Sequence, residues 1–385
     1  MKYLPPEILI YIFSLLSRDE LGRSVAQVCR SWNALSKDRE LKKTLTYHLS
    51  CKQGLPTLRR LISESPSLVK LIIILGSNDF GFLHILRVIA KHCPELKYLA
   101  LRNCNGISSQ SLYFVVNACS KLERLHLEGK RMDPDCINLL PMIPNLTHFI
   151  IPDYLKIDDH LLSTLVQKCK KIQQLNLSNC EITSIVEMSN ALAGSLEWLW
   201  VDGLNLTEKC YRALGACQKM TFLNIFNCHK LTRIGLDTGI SMLTNLSTLR
   251  LHGCLGLKSH DLVHFFRNNE HLIKLTHLYL YDCDLDNDVM VAIGIRCLNV
   301  TNLGLTLEEN VTNAGVEGLV RGCRNITSIL LVASSDEQLT SHVYYIIAQN
   351  LPHLVNLNFN IAAPKTFSLD YPKIAWSSFF FWAKN

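Results

Sequence analysis

The sequence predicts an α/β solenoid, a stack of repeats in which short parallel strands alternate with helices. The first observation is a pattern of apolar residues at offsets 0, +3 and +5, as in Leu96, Leu99 and Leu101. The pattern returns with its first apolar residue at positions 68, 96, 122, 146, 172, 196, 220, 246, 275, 300, 326 and 354. The second observation is the spacing of about 26 residues, typical of solenoids whose repeats bury their apolar edges against one another.

The pattern has the form L-x-x-L-x-L-x-x-N/C, which identifies the chain as a leucine-rich-repeat protein. The x-L-x-L-x segment is expected to form a strand. Stretches such as 159–168 and 259–267 start with polar residues and continue with helical apolar spacing, so each strand should be followed by a helix. The resemblance implies a right-handed horseshoe, with a parallel sheet on its concave side and helices on its convex side.

Composition excludes several classes of protein. Of 385 residues, 48% are hydrophobic and 19% are charged, which favours an ordered, well-packed chain over a disordered one. The net charge is +6, but lysines and arginines are scattered without a basic run, so we predict no nucleic-acid partner. No stretch approaches the length of a membrane span, and we predict no membrane partner.

The cysteines occupy two fixed places in the repeat. Six precede the first apolar residue by three positions: Cys93, Cys119, Cys169, Cys217, Cys297 and Cys323. Five follow it by eight positions: Cys104, Cys180, Cys228, Cys254 and Cys283. The total of fifteen is odd and includes no C-x-x-C pair. This placement favours buried, reduced thiols in a cytoplasmic or nuclear protein over a secreted, disulfide-bonded one.

The chain opens with an apolar stretch that a signal peptide could also explain. Glu7 and the Pro5–Pro6 pair interrupt its centre, and no small-x-small cleavage site follows, so we interpret it as a helix with proline in its first turn. The S-x-x-E sequence at 17–20 has the form of a capping box and predicts a new helix. The first 45 residues therefore indicate a bundle of short helices.

This segment resembles an F-box over nearly its whole length. The matching pattern runs from Leu4-Pro5-x-Glu7-Ile8 to Val28-Cys29-Arg30-x-Trp32, and it departs at Lys42, where the family often has a tryptophan. The resemblance implies an all-α F-box that docks on a Skp-family adaptor and through it on a cullin–RING ubiquitin ligase. The positions that match the adaptor-contacting surface are Leu4, Pro5, Ile8, Ile12, Phe13, Val28, Cys29 and Trp32. The alternative is a helical cap for the solenoid.

Four segments follow from these patterns: an F-box at 1–45, a connector or N-terminal cap at 46–66, about twelve leucine-rich repeats at 67–363, and a tail at 364–385. The cysteine-containing repeats resemble the subtype commonly found behind an F-box. The aromatic tail stretch at 371–382 lies outside the repeat register. It is interpreted as a cap, with an alternative chain end and a membrane contact as the other interpretations.

Strand alternation predicts which residues face outward from the sheet. With the leucines at 0, +3 and +5 buried, offsets +2, +4 and +6 should line the concave face. In four consecutive repeats these offsets concentrate aromatic, arginine and histidine residues: Trp198, Trp200, Phe222, Phe226, Arg250, His252, His277, Tyr279 and Tyr281. Such residues carry binding energy in protein interfaces. We predict a substrate-binding surface, with a structural stack or a small-molecule site as alternatives.

No catalytic residues and no cofactor are predicted. The sequence has no nucleophile elbow, no Cys–His nucleophile context and no phosphate-binding loop. His252 and His277 lack a third ligand of suitable type, so no metal site is expected. The sequence predicts a non-catalytic substrate adaptor of an SCF (Skp–cullin–F-box) ubiquitin ligase, which captures protein targets for proteasomal degradation. The alternatives are an interaction scaffold outside a ligase and a receptor completed by a small molecule.

Overall fold

A computed structural model describes residues 4–14, 16, 20–38, 40–49, 55–75, 82–333 and 339–361. The chain divides into two compact units, 1–251 and 252–385. The predicted capping box at 17–20 falls mostly outside the described residues, and the aromatic stretch at 371–382 lies entirely outside them. Among the described residues, no helix has the length and apolar character needed to cross a membrane.

The first unit begins with a small helical bundle. It contains α1 (Pro6–Ser14), a π-helical turn (Leu21–Val25), α2 (Ala26–Val28), α3 (Arg30–Leu35) and a 3₁₀ turn (Glu40–Lys42). Proline stands in the first turn of α1, where its missing N–H costs no helical hydrogen bond. The core of the bundle consists of Leu9 and Phe13 from α1, Leu21 and Val25 from the π-helical turn, and Leu41 from the 3₁₀ turn. The predicted bundle of short helices is confirmed.

Cys29 separates α2 from α3. Its backbone is extended, with φ −162° and ψ 168°, and its Sγ accepts a hydrogen bond from the Trp32 backbone N–H at 3.4 Å. The thiol thus caps the N-terminus of α3, a place usually taken by a small oxygen-bearing side chain. Helical apolar spacing alone predicts no break at this position.

The strands of the first unit follow the predicted register. They are β1 (Thr44–Leu49), β2 (Lys70–Leu75), β3 (Tyr98–Arg102), β4 (Arg124–Leu127), β5 (His148–Ile150), β6 (Gln174–Leu177), β7 (Trp198–Asp202), β8 (Phe222–Phe226) and β9 (Thr248–His252), whose last residue falls in the second unit. All adjacent pairs from β1 to β5 and from β6 to β9 are parallel. The ladder is interrupted after the three-residue β5, where the N–H groups of Gln173 and Gln174 still donate to Thr147 O.

The helices of the first unit lie between these strands in the chain. They are α4 (Leu55–Ser63), α5 (Phe82–His92), α6 (Ser109–Ala118), α7 (Asp159–Lys168), α8 (Val186–Ala191), α9 (Glu208–Leu214) and α10 (Arg233–Thr238). Short 3₁₀ segments occupy Pro134–Met142 and Ile240–Met242. Pro141 explains the first of these, because a proline inside an α-helix removes a backbone donor and clashes with the preceding turn.

The second unit repeats the same arrangement. Its strands β10 (His277–Tyr281), β11 (Asn302–Leu307), β12 (Ser328–Ala333) and β13 (Asn356–Ile361) pair in parallel order. Its helices are α11 (Ser259–Asn268), α12 (Asn287–Arg296), α13 (Asn313–Gly322) and α14 (His342–Asn350), with a 3₁₀ turn at Glu270–Lys274. Each unit therefore has the α/β leucine-rich-repeat fold that the sequence predicts.

The repeated leucines and cysteines form the core. Leu96, Leu99 and Leu101 are fully buried, as the offsets 0, +3 and +5 predict. Cysteines that precede a repeat also join it to the previous one: the Cys119 thiol donates to Cys93 O at 3.3 Å, and Cys323 donates to Cys297 O at 3.2 Å. Every cysteine in the described residues is free, and all of them except Cys29 are buried. The prediction of buried, unbridged thiols is confirmed for these positions.

The structure adds a strand and a helix ahead of the first predicted repeat. The segment assigned as connector or cap, 46–66, contains most of β1 and all of α4. β1 pairs in register with β2, from Thr44 opposite Lys70 to Leu49 opposite Leu75. The parallel sheet therefore begins directly after the bundle, although this segment lacks the leucine pattern of the later repeats.

Candidate functional site

The helical bundle presents an apolar stripe on one side of α1. Ile8 and Ile12 are one turn apart in α1 and share one side of it, and Leu4 and Leu16 lie just before and just after the helix. Their exposed fractions are 40%, 46%, 40% and 37%, in chain order. Four large apolar side chains at helical spacing form a partly exposed apolar surface of the kind that marks a protein contact.

The eight predicted adaptor-contacting residues divide into two groups. Leu4, Pro5, Ile8, Ile12, Val28 and Cys29 are exposed, and Val28 is the most accessible at 60% among the large apolar ones. Phe13 is only 1% exposed, and Trp32 is half-buried against it, with ring centroids 5.1 Å apart in an edge-to-face arrangement. The structure therefore places Phe13 in the bundle core, not on its surface, because α1 buries its Leu9–Phe13 side.

In the first unit, the outward side of the sheet carries a cluster of aromatic rings. Trp198 and Phe222 lie opposite each other on β7 and β8 and stack with centroids 4.6 Å apart, close to the spacing of neighbouring strands. Trp200 lies 6.2 Å from Trp198 and 5.5 Å from Phe226, measured between ring centroids. We name these four residues the aromatic cluster.

The polar neighbours of the aromatic cluster are set by the same register. Arg250 on β9 lies opposite Asn224 on β8, which in turn lies opposite Trp200. Arg250 is half-buried, whereas Asn224 is buried. The Asp202 carboxylate at the end of β7 accepts a hydrogen bond from the Asn227 side-chain amide at 3.2 Å. The first unit thus brings together the aromatic cluster and Arg250, with Phe222 covered by its stacking partner.

In the second unit, the predicted residues form a group around two tyrosines. The rings of Tyr279 and Tyr281 on β10 are 6.1 Å apart, and the Tyr281 ring lies 6.4 Å from that of His252. His277, at the start of β10, places Nδ1 2.9 Å from the hydroxyl of the preceding Thr276. All four predicted residues are half-buried. They stay candidates for a binding surface of this unit.

Sequence reasoning missed the carboxylates beside these tyrosines. The Asp282 carboxylate lies 3.0 Å from His252 Nε2. Burial raises the pKa of Glu308, and the negative charges of Asp282, Asp284 and Glu309 raise it further. The missed signal was the repeat spacing: Asp282 and Glu308 each directly follow the last residue of a strand, in neighbouring repeats.

A buried histidine lies in an earlier repeat of the first unit. His126 on β4 is 8% exposed. Burial lowers its pKa to about 4, and the nearby positive charge of Arg102 acts in the same direction. Its Nε2 lies 3.6 Å from the Glu128 carboxylate, an attraction that desolvation outweighs. Across the described parts of both units, no group of three or more metal-ligating side chains comes together.

Comparison with known proteins finds a family match in the N-terminal part of the chain. Residues 1–48 match the model of the F-box-like family. The F-box protein SKIP19 of Arabidopsis thaliana is 23% identical over a region that covers 48% of this chain and 70% of that protein. These matches concern sequence and place the F-box-like domain where the helical bundle lies.

Among solved structures, one match has a TM-score above 0.5 and thus shows a similar fold, and a second match is weaker. A chain from the crystal structure of the Rad7 and Elc1 complex in yeast is 20% identical, with a TM-score of 0.59, covering 94% of this chain and 90% of that one. The leucine-rich repeat-containing protein LegL7 from Legionella pneumophila is 15% identical, with a TM-score of 0.38, covering 80% of this chain and 100% of that one. The chain thus carries an F-box-like domain followed by leucine-rich repeats, the architecture of an F-box/leucine-rich-repeat protein.

Proposed function

We propose that this protein is the substrate-recognition subunit of an SCF-type ubiquitin ligase. The bundle binds a Skp-family adaptor, and the outward strand surfaces capture target proteins. Catalysis is supplied by other subunits of the ligase, so this subunit contributes proximity: it holds the target near the transferred ubiquitin. Its buried, unbridged thiols favour the cytoplasm or the nucleus as its location.

The observation that carries the adaptor role is the exposed apolar stripe on an F-box-like domain. Ile8 and Ile12 remain about half accessible while Leu9 and Phe13, on the neighbouring side of α1, fill the core. A helix that buries one apolar side and exposes a second one can pack against a partner without unfolding. The structural neighbour from the Rad7 and Elc1 complex supports a protein partner for a chain of this fold.

We assign target binding to the aromatic, arginine and histidine side chains on the outward side of the strands, because of their residue types. Trp, Tyr and Arg are the residue types that dominate binding energy when they lie in a partly desolvated surface. The aromatic cluster with Arg250 in the first unit, and His252, His277, Tyr279 and Tyr281 in the second, have this composition. The stacking of Trp198 on Phe222 also holds these rings rigid, which reduces the entropy lost on binding.

The adaptor role is tested by co-expression with a Skp-family adaptor and measurement of the affinity of the purified proteins. An Ile8→Glu/Ile12→Glu variant places two charges in the stripe, and we expect its dissociation constant to rise at least about tenfold. Leu255→Glu is the matched control, because this side chain is 66% exposed in the second unit and outside the bundle.

The outcomes separate the proposal from its main alternative. Failure of the wild-type chain to bind any Skp-family adaptor, with the repeats folded, would favour a scaffold that acts outside a ligase. Equal binding by the stripe variant and the control would show that the stripe is not the docking surface. Affinity purification in the presence of a proteasome inhibitor, compared between wild type and Trp200→Ala, tests target capture separately.

A further inference from the structure

The outward side of β10 and β11 carries two aromatic rings that lie over the neighbouring strand. Gly304 on β11 lies opposite Tyr279 on β10. A Cβ at Gly304 would come within 2.6 Å of Tyr279 Cδ1 and would overlap the Tyr281 hydroxyl. The two tyrosine rings therefore lean over the glycine, and no larger residue fits there while they do.

Negative charge is concentrated in the segments that directly follow these two strands. Between positions 282 and 309 the chain has six carboxylates, Asp282, Asp284, Asp286, Asp288, Glu308 and Glu309, and a single lysine or arginine, Arg296. The Arg296 guanidinium donates to the backbone oxygens of Phe266 and Arg267, so its hydrogen bonds are directed at the end of α11.

Contacts with neighbouring groups compensate the negative charge of these carboxylates only in part. His252 contacts Asp282, and the Ser259 backbone N–H donates to Asp284 at 3.3 Å, next to the exposed side chain of Lys258. Glu308 is half-buried and Glu309 is exposed. We call Asp282, Asp284, Glu308 and Glu309 the acidic edge. Since the whole chain has a net charge of +6, the acidic edge is a local feature and not a consequence of composition.

A buried hydroxyl on the same face is a second, independent observation that points to a ligand. Thr306 shares the outward side of β11 with Asn302 and Gly304, because side chains alternate along a strand. It is 3% exposed, and among the described residues its Oγ1 has no hydrogen-bond partner. A buried hydroxyl without a partner is destabilising, so a bound donor at this face would remove a penalty.

We propose that this face binds an arginine side chain in an extended segment of a target protein. A guanidinium stacks on aromatic rings, forms paired hydrogen bonds with carboxylates and can donate to a hydroxyl. A metal ion fits less well, because no group of three metal-ligating side chains is assembled in the described residues. The inference rests on the proposed function, since it assigns the chemistry of the captured target.

The test is direct binding of a short peptide to the full chain. The probe is a fluorescein-labelled Gly-Ser-Arg-Ser-Arg-Ser-Gly peptide, and its counterpart has citrulline, which is neutral and nearly isosteric, in place of each arginine. Fluorescence anisotropy at low ionic strength gives the dissociation constants. We expect Glu308→Gln/Glu309→Gln to weaken binding of the arginine peptide about fivefold, as expected for a partly exposed charged contact. Tyr279→Leu should weaken it by a similar factor.

The matched control is Glu270→Gln/Glu317→Gln, which removes the same charge from the turn before β10 and from α13. Weaker binding in the site variants with unchanged binding in the control supports the inference. Equal affinity for the citrulline peptide, equal weakening in the control or no binding of the arginine peptide overturns it. The affinity of the same variants for a Skp-family adaptor is expected to be unchanged. If the wild-type chain bound no adaptor, that result would contradict the proposed function but not the peptide site.

Discussion

Replacing Phe13 by alanine distinguishes the core of the bundle from its binding surface. The ring is 1% exposed, packs with Leu9, Leu21, Val25 and Leu41, and lies edge-to-face with Trp32 at 5.1 Å. Truncation of a buried phenylalanine costs about 3–5 kcal/mol, and about 1 kcal/mol of this is expected from the aromatic pair. A unit below about 70 residues rarely gains more than about 3–5 kcal/mol from its core. We therefore expect the variant bundle to unfold.

Hydrogen exchange followed by mass spectrometry measures this effect by segment. In Phe13→Ala, peptides from α1 and α3 should exchange rapidly, whereas peptides from β7 and β8 should keep their protection. Adaptor binding should be lost together with bundle protection. Ile12→Ala is the control, because this residue is 40% exposed and its loss should weaken adaptor binding without changing exchange. Full protection of the bundle in Phe13→Ala would refute the reasoning, since it would mean that the ring is not part of a cooperative core.

Two further predictions concern the repeats. Gly322→Ala should lower the free energy of unfolding by about 1–3 kcal/mol, because a Cβ at this position overlaps the backbone oxygen of Gly294. Urea denaturation measures this change. Gly194→Ala is the control, because a Cβ there would have no neighbouring atom within 4 Å. For His126, burial and Arg102 lower the folded-state pKa to about 4 from 6.5, so the unfolded state binds more protons between these values. Stability should fall as the pH is lowered from 6.5 towards 4, and His126→Gln should flatten this dependence; an unchanged pH profile would contradict the assignment.

The repeat pattern predicts on which side of the sheet a side chain lies better than it predicts how exposed that side chain is. On β7, Trp198, Trp200 and Asp202 are half-buried between the buried Leu199 and Val201, as strict alternation requires. On β8, Phe222 lies on the same face but is covered by the stacked ring of Trp198. Alternation fixes the direction of a side chain, whereas burial also depends on which neighbour the stacking places beside it. That neighbour is known only after the registers of both strands are known.

Backbone breaks were the least predictable feature of the bundle. Cys29 continues the helical apolar spacing of Val25 and Val28, yet its backbone is extended and its thiol caps α3. The F-box resemblance places Cys29 on the adaptor-contacting surface, and the structure leaves it exposed, but the break between the two helices that makes its thiol a cap leaves no periodic signal. In the same way, β1 lacks the leucine pattern and is recognised as a strand only through its pairing with β2.

The acidic edge shows what repeat spacing can reveal when charges are read in the same way as leucines. Asp282 and Glu308 are far apart in the chain, but each directly follows the last residue of one of two neighbouring strands, so stacking brings their carboxylates near each other. A leucine in this register lowers the free energy of the fold, whereas a carboxylate next to other carboxylates raises it. Residues that oppose folding in this way and lie near half-buried aromatic rings are better explained by a bound cation than by packing. An arginine side chain supplies that cation, and the citrulline peptide, which lacks its charge, tests it.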